Sequence, residues 1–419
     1  MMRKIYLLFC VFIQTISFAQ NLSTATPESV GMSSTRLKRI DATLNEYIDK
    51  GRIAGAIALI VRDGKVVYHQ AFGYDNIDTK TKLSKDAIVR VASQTKGITS
   101  TAVMMLYEEG KFLLDEPISK YIPAFKSPVV LDKFNETDSS FTTIPSKREI
   151  TIRDLLTHTS GISYSGIGTK EANAIYAKNK ITNGIGTPDA QLADFINNLA
   201  KMPLMHQPGE RFTYGLNTDV LGYFVELVSG KPLDVFFQER IFTPLGMNDT
   251  YFYLPEAKYN RLATLYAEDK DRKMIQAEEA FQNYPKQKGK FFSGGGGLSS
   301  TALDYAQFLQ CLLNHGNLNG KDILSPAIVR LMTSNQIGDS NVGYRKFGLG
   351  FALATVKEAA RLPVSEGNFE WGGIFGTSYW ADPKENLIGI ILTQKYPNSY
   401  GDLNEKYRVL VYQALTKLK

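Results

Sequence analysis

The sequence predicts an α/β chain of the α+β type. One antiparallel sheet is drawn from the N- and C-terminal segments and flanked by helices, and a mostly helical region is inserted between its two halves. Three observations predict this. Strand-like apolar runs stand near both ends, within 54–72 and again within 347–394. The stretch between them is dominated by helical spacing. No linker-like composition and no repeat divides the chain, so a single domain over 20–419 is expected, with sheet from about 33–92 and 345–419 and helices from about 93–344.

The elements follow in order. Ser33 to Lys50 carries Leu37, Ile40, Leu44 and Ile48 on one helical stripe. Ala54–Val61 and Lys65–Phe72 read as strands joined at Asp63-Gly64, a strong hairpin signal. Ala87 to Ala92 is extended and leads into a helix from Thr95 to Glu109 that stops at Gly110. A short helix starts at Thr151 and ends before Gly161, and another spans Thr218 to Gly230. Residues 126–149 and 164–190 show weak periodicity and read as loops walling a cleft. Gly294–Gly297 forms a turn ahead of a helix from Thr301 to Asn314. Phe347–Thr355, Thr377–Ala381 and Asn386–Gln394 read as strands, Asp382-Pro383 as a turn, and Asp402 to Leu418 as a final helix.

Residues 1–19 read as a secretory signal. Arg3 and Lys4 supply the charged start, Ile5 to Ile13 a short apolar core, and Ser17-Phe18-Ala19 the small residues before cleavage. The apolar run is too short to span a bilayer, so a secreted or periplasmic protein without stable membrane insertion is expected. Cys10 leaves with the signal and Cys311 then has no partner, which excludes a disulfide framework and a cysteine metal site. The net charge of +6 is spread thinly, which argues against a nucleic-acid partner. His69, His158, His206 and His315 lack metal-ligand spacing, and no cofactor is called for. The oligomeric state is left open.

The chemistry starts at Ser93-Gln94-Thr95-Lys96, where strand turns into helix. Residues i and i+3 share a helix face, so Oγ and Nζ can meet and the amine can take the hydroxyl proton. The plainer alternative is an N-cap serine with a solvated lysine. Tyr214 stands at a helix entrance, where a phenol can shuttle a proton or simply fill the core. Trp371-Gly372-Gly373-Ile374 precedes a strand; the glycines let a substrate approach the backbone or mark a bulge. The Ile374 amide could pair with that of Ser93 as an oxyanion hole. His158 is expected to fix its loop by a hydrogen bond rather than act as base. The tetraglycine lacks the Lys-Ser/Thr that follows in a phosphate loop.

Five motifs stand in order along nearly the whole chain beyond the signal. They are Ser93-x-x-Lys96, Ile152 through His158 to Gly161, Pro208-Gly209-Glu210-x-Phe212-x-Tyr214, Gly294 through Ser300, and Trp371-Gly372-Gly373 through Trp380-x-Asp382-Pro383. Together they resemble the serine β-lactamase and penicillin-binding-protein superfamily, in its class C-like branch, and most of all the family VIII carboxylesterases. The resemblance implies a β-lactamase/transpeptidase-like fold. It implies Ser93 as acylated nucleophile, Lys96 and Tyr214 as the bases, and Trp371-Gly372-Gly373 in the place of the Lys-Thr-Gly motif.

Two departures bear on substrate. Trp371 replaces the cation that would hold a carboxylate, which favours an ester over an antibiotic. The asparagine that the resemblance leads one to expect two residues after the tyrosine is Leu216 here; either Asn217, one later, substitutes for it, or the amide contact is lost. A serine hydrolase acting on a small-molecule ester or amide is therefore expected, esters first. The alternatives are a β-lactamase or D-amino-acid peptidase, and a non-catalytic envelope binding protein that keeps the fold. The retention of Ser93, Lys96 and Tyr214 together argues against the last. No Gly-x-Ser-x-Gly elbow supports a triad hydrolase.

Overall fold

The computed structural model describes residues 22–187 and 189–419, so the predicted signal at 1–19 lies outside the described residues. Helix α1 (Ser34–Asp49) is capped by Ser33, whose side chain accepts from the Arg36 amide. It buries Leu37, Ile40, Leu44 and Tyr47, with Tyr47 rather than Ile48 as the fourth anchor. Strands β1 (Gly55–Arg62) and β2 (Lys65–Asn76) form the expected hairpin. Asp63 and Gly64 both take positive φ, 53° and 71°, as a tight hairpin turn of this twist requires. A short β3 (Thr81–Lys82) follows.

Helix α2 (Thr95–Glu108) is buried along nearly its whole length. Helices α3 (Ile152–Leu156), α4 (Lys170–Lys178), α5 (Leu192–Leu199) and α6 (Asn217–Ser229) build the middle region, and α7 (Ala302–Leu313) closes it. The chain then returns to the sheet through β4 (Lys346–Phe347), β5 (Ala352–Leu353), β6 (Phe369–Gly373), β7 (Thr377–Asp382) and β8 (Leu387–Leu392), and ends on α8 (Leu403–Tyr412).

These strands form one eight-stranded sheet among the described residues, in the order β4-β5-β6-β7-β8-β1-β2-β3. Every adjacent pair is antiparallel, and β1 meets β8 in the centre with Leu59 opposite Ile390. Adjacent strand residues point to opposite faces. Leu59, Tyr379 and Ile390 therefore join the core shared with α2 and α7, while Ile60, Trp380 and Ile391 join the core under α1 and α8. Both faces are covered, which is why β1 is buried at every position. Among the described residues no helix is long and apolar enough to cross a membrane.

Three segments differ from expectation. Residues 126–149 hold a hairpin, Val129–Phe134 against Phe141–Pro145, whose second strand is exposed throughout and so shows no alternation in sequence. Residues 164–190 hold α4, capped by Thr169 and buried at Ala172, Ile175 and Tyr176. The run 347–355 is not one strand. Gly350 at φ 100° breaks it, and β4 and β5 pair with each other across the bend.

Candidate active site

The site is built where the short strand Val89–Arg90, paired with Ser299–Ser300, turns into α2. The turn is made by Ala92, which holds the left-handed region at φ 45°. That conformation costs a non-glycine residue about 1 kcal/mol. It aims the next residue, Ser93, into a cavity of about 600 Å³ lined also by Tyr164, Ile185, Tyr214, Trp371 and Ile374.

Lys96 lies one helical turn below Ser93 and is 2% exposed. Its Nζ stands 3.4 Å from Ser93 Oγ, and donates to the Tyr164 hydroxyl at 2.9 Å and to the Gly295 carbonyl at 2.6 Å. The count of donors matters. A neutral amine has two N–H groups and one lone pair. In the structure Nζ donates to all three oxygens, the pattern of an ammonium; a neutral amine that kept its N–H groups on Gly295 and Tyr164 would have its lone pair left for Ser93 Oγ.

Tyr214 and Tyr164 pack side by side with ring centroids 5.2 Å apart, and Lys96 Nζ lies 4.8 Å from the Tyr214 ring centre. Trp371 Nε1 donates to the Tyr214 hydroxyl at 3.3 Å. Burial, with Tyr214 and Asp219 nearby, pushes the Tyr164 phenol well above its usual value and keeps it neutral.

The structure thus brings Ser93, Lys96, Tyr214, Trp371, Gly372, Gly373 and Ile374 to one place. It does not bring Asn217 there. Asn217 is fully buried; its Nδ2 donates to His158 Nδ1 at 2.9 Å and its Oδ1 accepts from Ser160. Asn217 therefore locks the loop of the second motif, fully buried and outside the cavity lining, which corrects the expectation that it faces the cleft. His158 has the loop-fixing role expected of it. It is 1% exposed, and burial followed by the nearby Lys96 charge holds its imidazole well below the usual value.

The glycines serve close packing more than turn geometry. A Cβ on Gly373 would stand 2.3 Å from the Val91 carbonyl, so this glycine lets β6 press against the segment that carries Ser93. None of Gly294–Gly297 has positive φ, and a Cβ on Gly294 would meet the Thr218 carbonyl at 2.5 Å. The tetraglycine makes the expected turn, closed by the Gly297 amide on the Ser293 carbonyl at 2.9 Å, and lies as a strap on α6, where it hands Lys96 a carbonyl.

The sequence reading missed Tyr164 and Asp219. Tyr164 follows Gly161 of the second motif by three residues and Asp219 follows Tyr214 by five, and neither spacing signals a shared site. Two cations line the cavity, Arg345 and Arg408, and both are tied to Glu370, at 2.6 and 2.5 Å.

Comparison with known proteins gives the family. The family model described as Beta-lactamase matches residues 40–413. The chain belongs to the beta-lactamase family. Among curated proteins of similar sequence, Protein Rv1367c of Mycobacterium tuberculosis is 34% identical, covering 85% of this chain and 90% of its own. Esterase EstB of Burkholderia gladioli is 29% identical, covering 89% of this chain and 94% of its own. Among solved structures, EstCE1, described as a hydrolase with promiscuous acyltransferase activity, superimposes with a TM-score of 0.78 at 29% identity, covering 90% of this chain and 99% of its own. The beta-lactamase family thus includes, among the sequences similar to this chain, a protein named as an esterase.

Proposed function

We propose that this chain is an exported serine hydrolase that cleaves carboxylic esters through an acyl-enzyme on Ser93. The observation that carries the reading is the Lys96 amine, buried, bound through two contacts to neutral oxygens, and 3.4 Å from Ser93 Oγ at the edge of an aromatic cavity. In the reaction Ser93 Oγ bonds to the ester carbonyl carbon and its proton passes to Lys96, with Tyr214 beside it. The amide groups of Ser93 and Ile374 face the developing oxyanion. The alkoxide leaves with the proton relayed through Tyr214, and water then cleaves the acyl-enzyme by the same route in reverse.

The ester preference is supported on two sides. Trp371 offers an indole where a carboxylate-binding cation would stand, and the two arginines of the cavity are balanced by two carboxylates, Glu370 on both and Glu358 on Arg345. The similarity to Esterase EstB, and to a structure described as a hydrolase with promiscuous acyltransferase activity, adds to it. Export is supported by the signal-like residues 1–19 alone.

Purified protein assayed on short-chain p-nitrophenyl esters and on a chromogenic cephalosporin tests the reading. Ester turnover abolished by Ser93→Ala, with slow cephalosporin turnover, is expected. Ester turnover that survives Ser93→Ala would sink the mechanism, and fast cephalosporin turnover with little esterase activity would sink the substrate class. N-terminal sequencing of exported protein, expected to begin at Gln20, tests the cleavage site.

A further inference from the structure

Lys96 spends its donors on neutral oxygens, yet a carboxyl group stands one residue beyond it. Asp219 lies in the first turn of α6 and is fully buried. Its Oδ1 accepts from the Ser293 hydroxyl at 2.6 Å and from the Gly295 amide at 3.2 Å. The carbonyl of the same Gly295 accepts a hydrogen bond from Lys96 Nζ at 2.6 Å. Asp219 Oδ2 has no hydrogen-bond partner among the described residues, and a Cβ on Gly295 would come within 2.3 Å of it. Only glycine lets the strap lie this close to the carboxyl group.

We propose that Asp219 is a positioning residue for Lys96: through Gly295 it fixes Nζ opposite Ser93 Oγ and places a compensating negative charge behind it. The inference rests on Ser93 and Lys96 being nucleophile and base. A helix N-terminus favours an acid in the first turn, which helps hold the charge in a buried place. Burial raises the Asp219 carboxyl above its usual range and Lys96 pulls it back, so the two groups feel each other across the strap. The other groups that face Lys96 do not supply that charge. Tyr164 and His158 are held neutral by burial, and Tyr214 presents its ring.

Asp219→Asn keeps the shape and an acceptor oxygen while removing the charge. On a short-chain p-nitrophenyl ester, kcat is expected to fall at least tenfold with KM within twofold of the parent. The acid limb of the kcat/KM profile is expected to move down by about one pH unit, because the ammonium form loses its counter-charge. An unmoved acid limb with only a lowered Tm would show a structural role and overturn the proposal. Should Asp219→Asn not fold, Ser293→Ala decides. It loosens the carboxyl but keeps the charge, so a severalfold fall in kcat at unchanged KM supports positioning, and parental kcat overturns it. Mass spectrometry of the parent protein after an acylating inhibitor separates the two levels. No adduct on Ser93 defeats the reading of the site itself, whereas an adduct on Ser93 with a parental Asp219→Asn profile defeats only this inference.

Discussion

The indole Nε1 of Trp371 donates to the hydroxyl oxygen of Tyr214 at 3.3 Å. Trp371 is therefore more than an apolar wall: it holds the phenol in place with the kind of contact a cation at the same position could also make. Trp371→Phe keeps a ring and removes the donor. One neutral hydrogen bond is worth about 1 kcal/mol net, so kcat on p-nitrophenyl esters should fall about fivefold with little change in KM. Trp371→Lys should restore the donor and shift preference toward carboxylate-bearing substrates, measured as a ratio of kcat/KM values. No shift would mean that residue 371 does not meet the substrate.

In the mechanism proposed above, Lys96 accepts the Ser93 proton and passes it on, rather than merely carrying a charge. Lys96→Met should cost on the order of 10³-fold in kcat, within the range of general-base catalysis. Lys96→Arg should be as inactive, because a guanidinium does not deprotonate in proteins. Near-parental activity in Lys96→Arg, measured by steady-state kinetics, would move the base function elsewhere.

His158 makes stability depend on pH. Its folded form resists protonation because it is buried, below the ordinary value of 6.5. The unfolded chain therefore takes up a proton first as pH falls. The contribution is fully present above about 6.5 and is lost as pH drops below it, by about 1.4 kcal/mol per pH unit. Asp304, raised to about 6, acts in the opposite sense at lower pH, so a difference is the clean measure. The stability advantage of the parent over His158→Gln, from urea denaturation, should shrink between pH 6.5 and 5.

Gly389 sits in the central strand β8 under Trp380. A Cβ there would stand 2.2 Å from the indole. Gly389→Ala should destabilise by about 3 kcal/mol through overpacking, seen as a lowered denaturation midpoint. Activity of the folded fraction should stay near parental, because the clash lies on the sheet face away from Ser93.

Local signals were legible wherever chemistry and spacing act within one element. Asp63-Gly64 names its own turn, the stripe of α1 names its buried face, and Ser93 and Lys96 meet because they are one turn apart. The hairpin at 129–145 was illegible because its second strand is solvent-exposed along its length, leaving no alternation to read. Helix α4 hid in a polar stretch because it buries only three residues. The break at Gly350 was invisible because an apolar run looks the same whether it continues or folds back.

The sequence by itself determined the class of fold, the hairpin at Asp63-Gly64, and the meeting of Ser93 with Lys96. Those features are set by adjacency along the chain. Only the tertiary structure decided where the remaining donors and acceptors end. Lys96 reaches Tyr164 and Gly295, which lie 68 and 199 residues away. Asn217 turns from the cleft to His158, 59 residues back. A buried polar group must find a partner, and which partner it finds is fixed by how α2, α6 and the glycine strap pack, not by spacing along the chain.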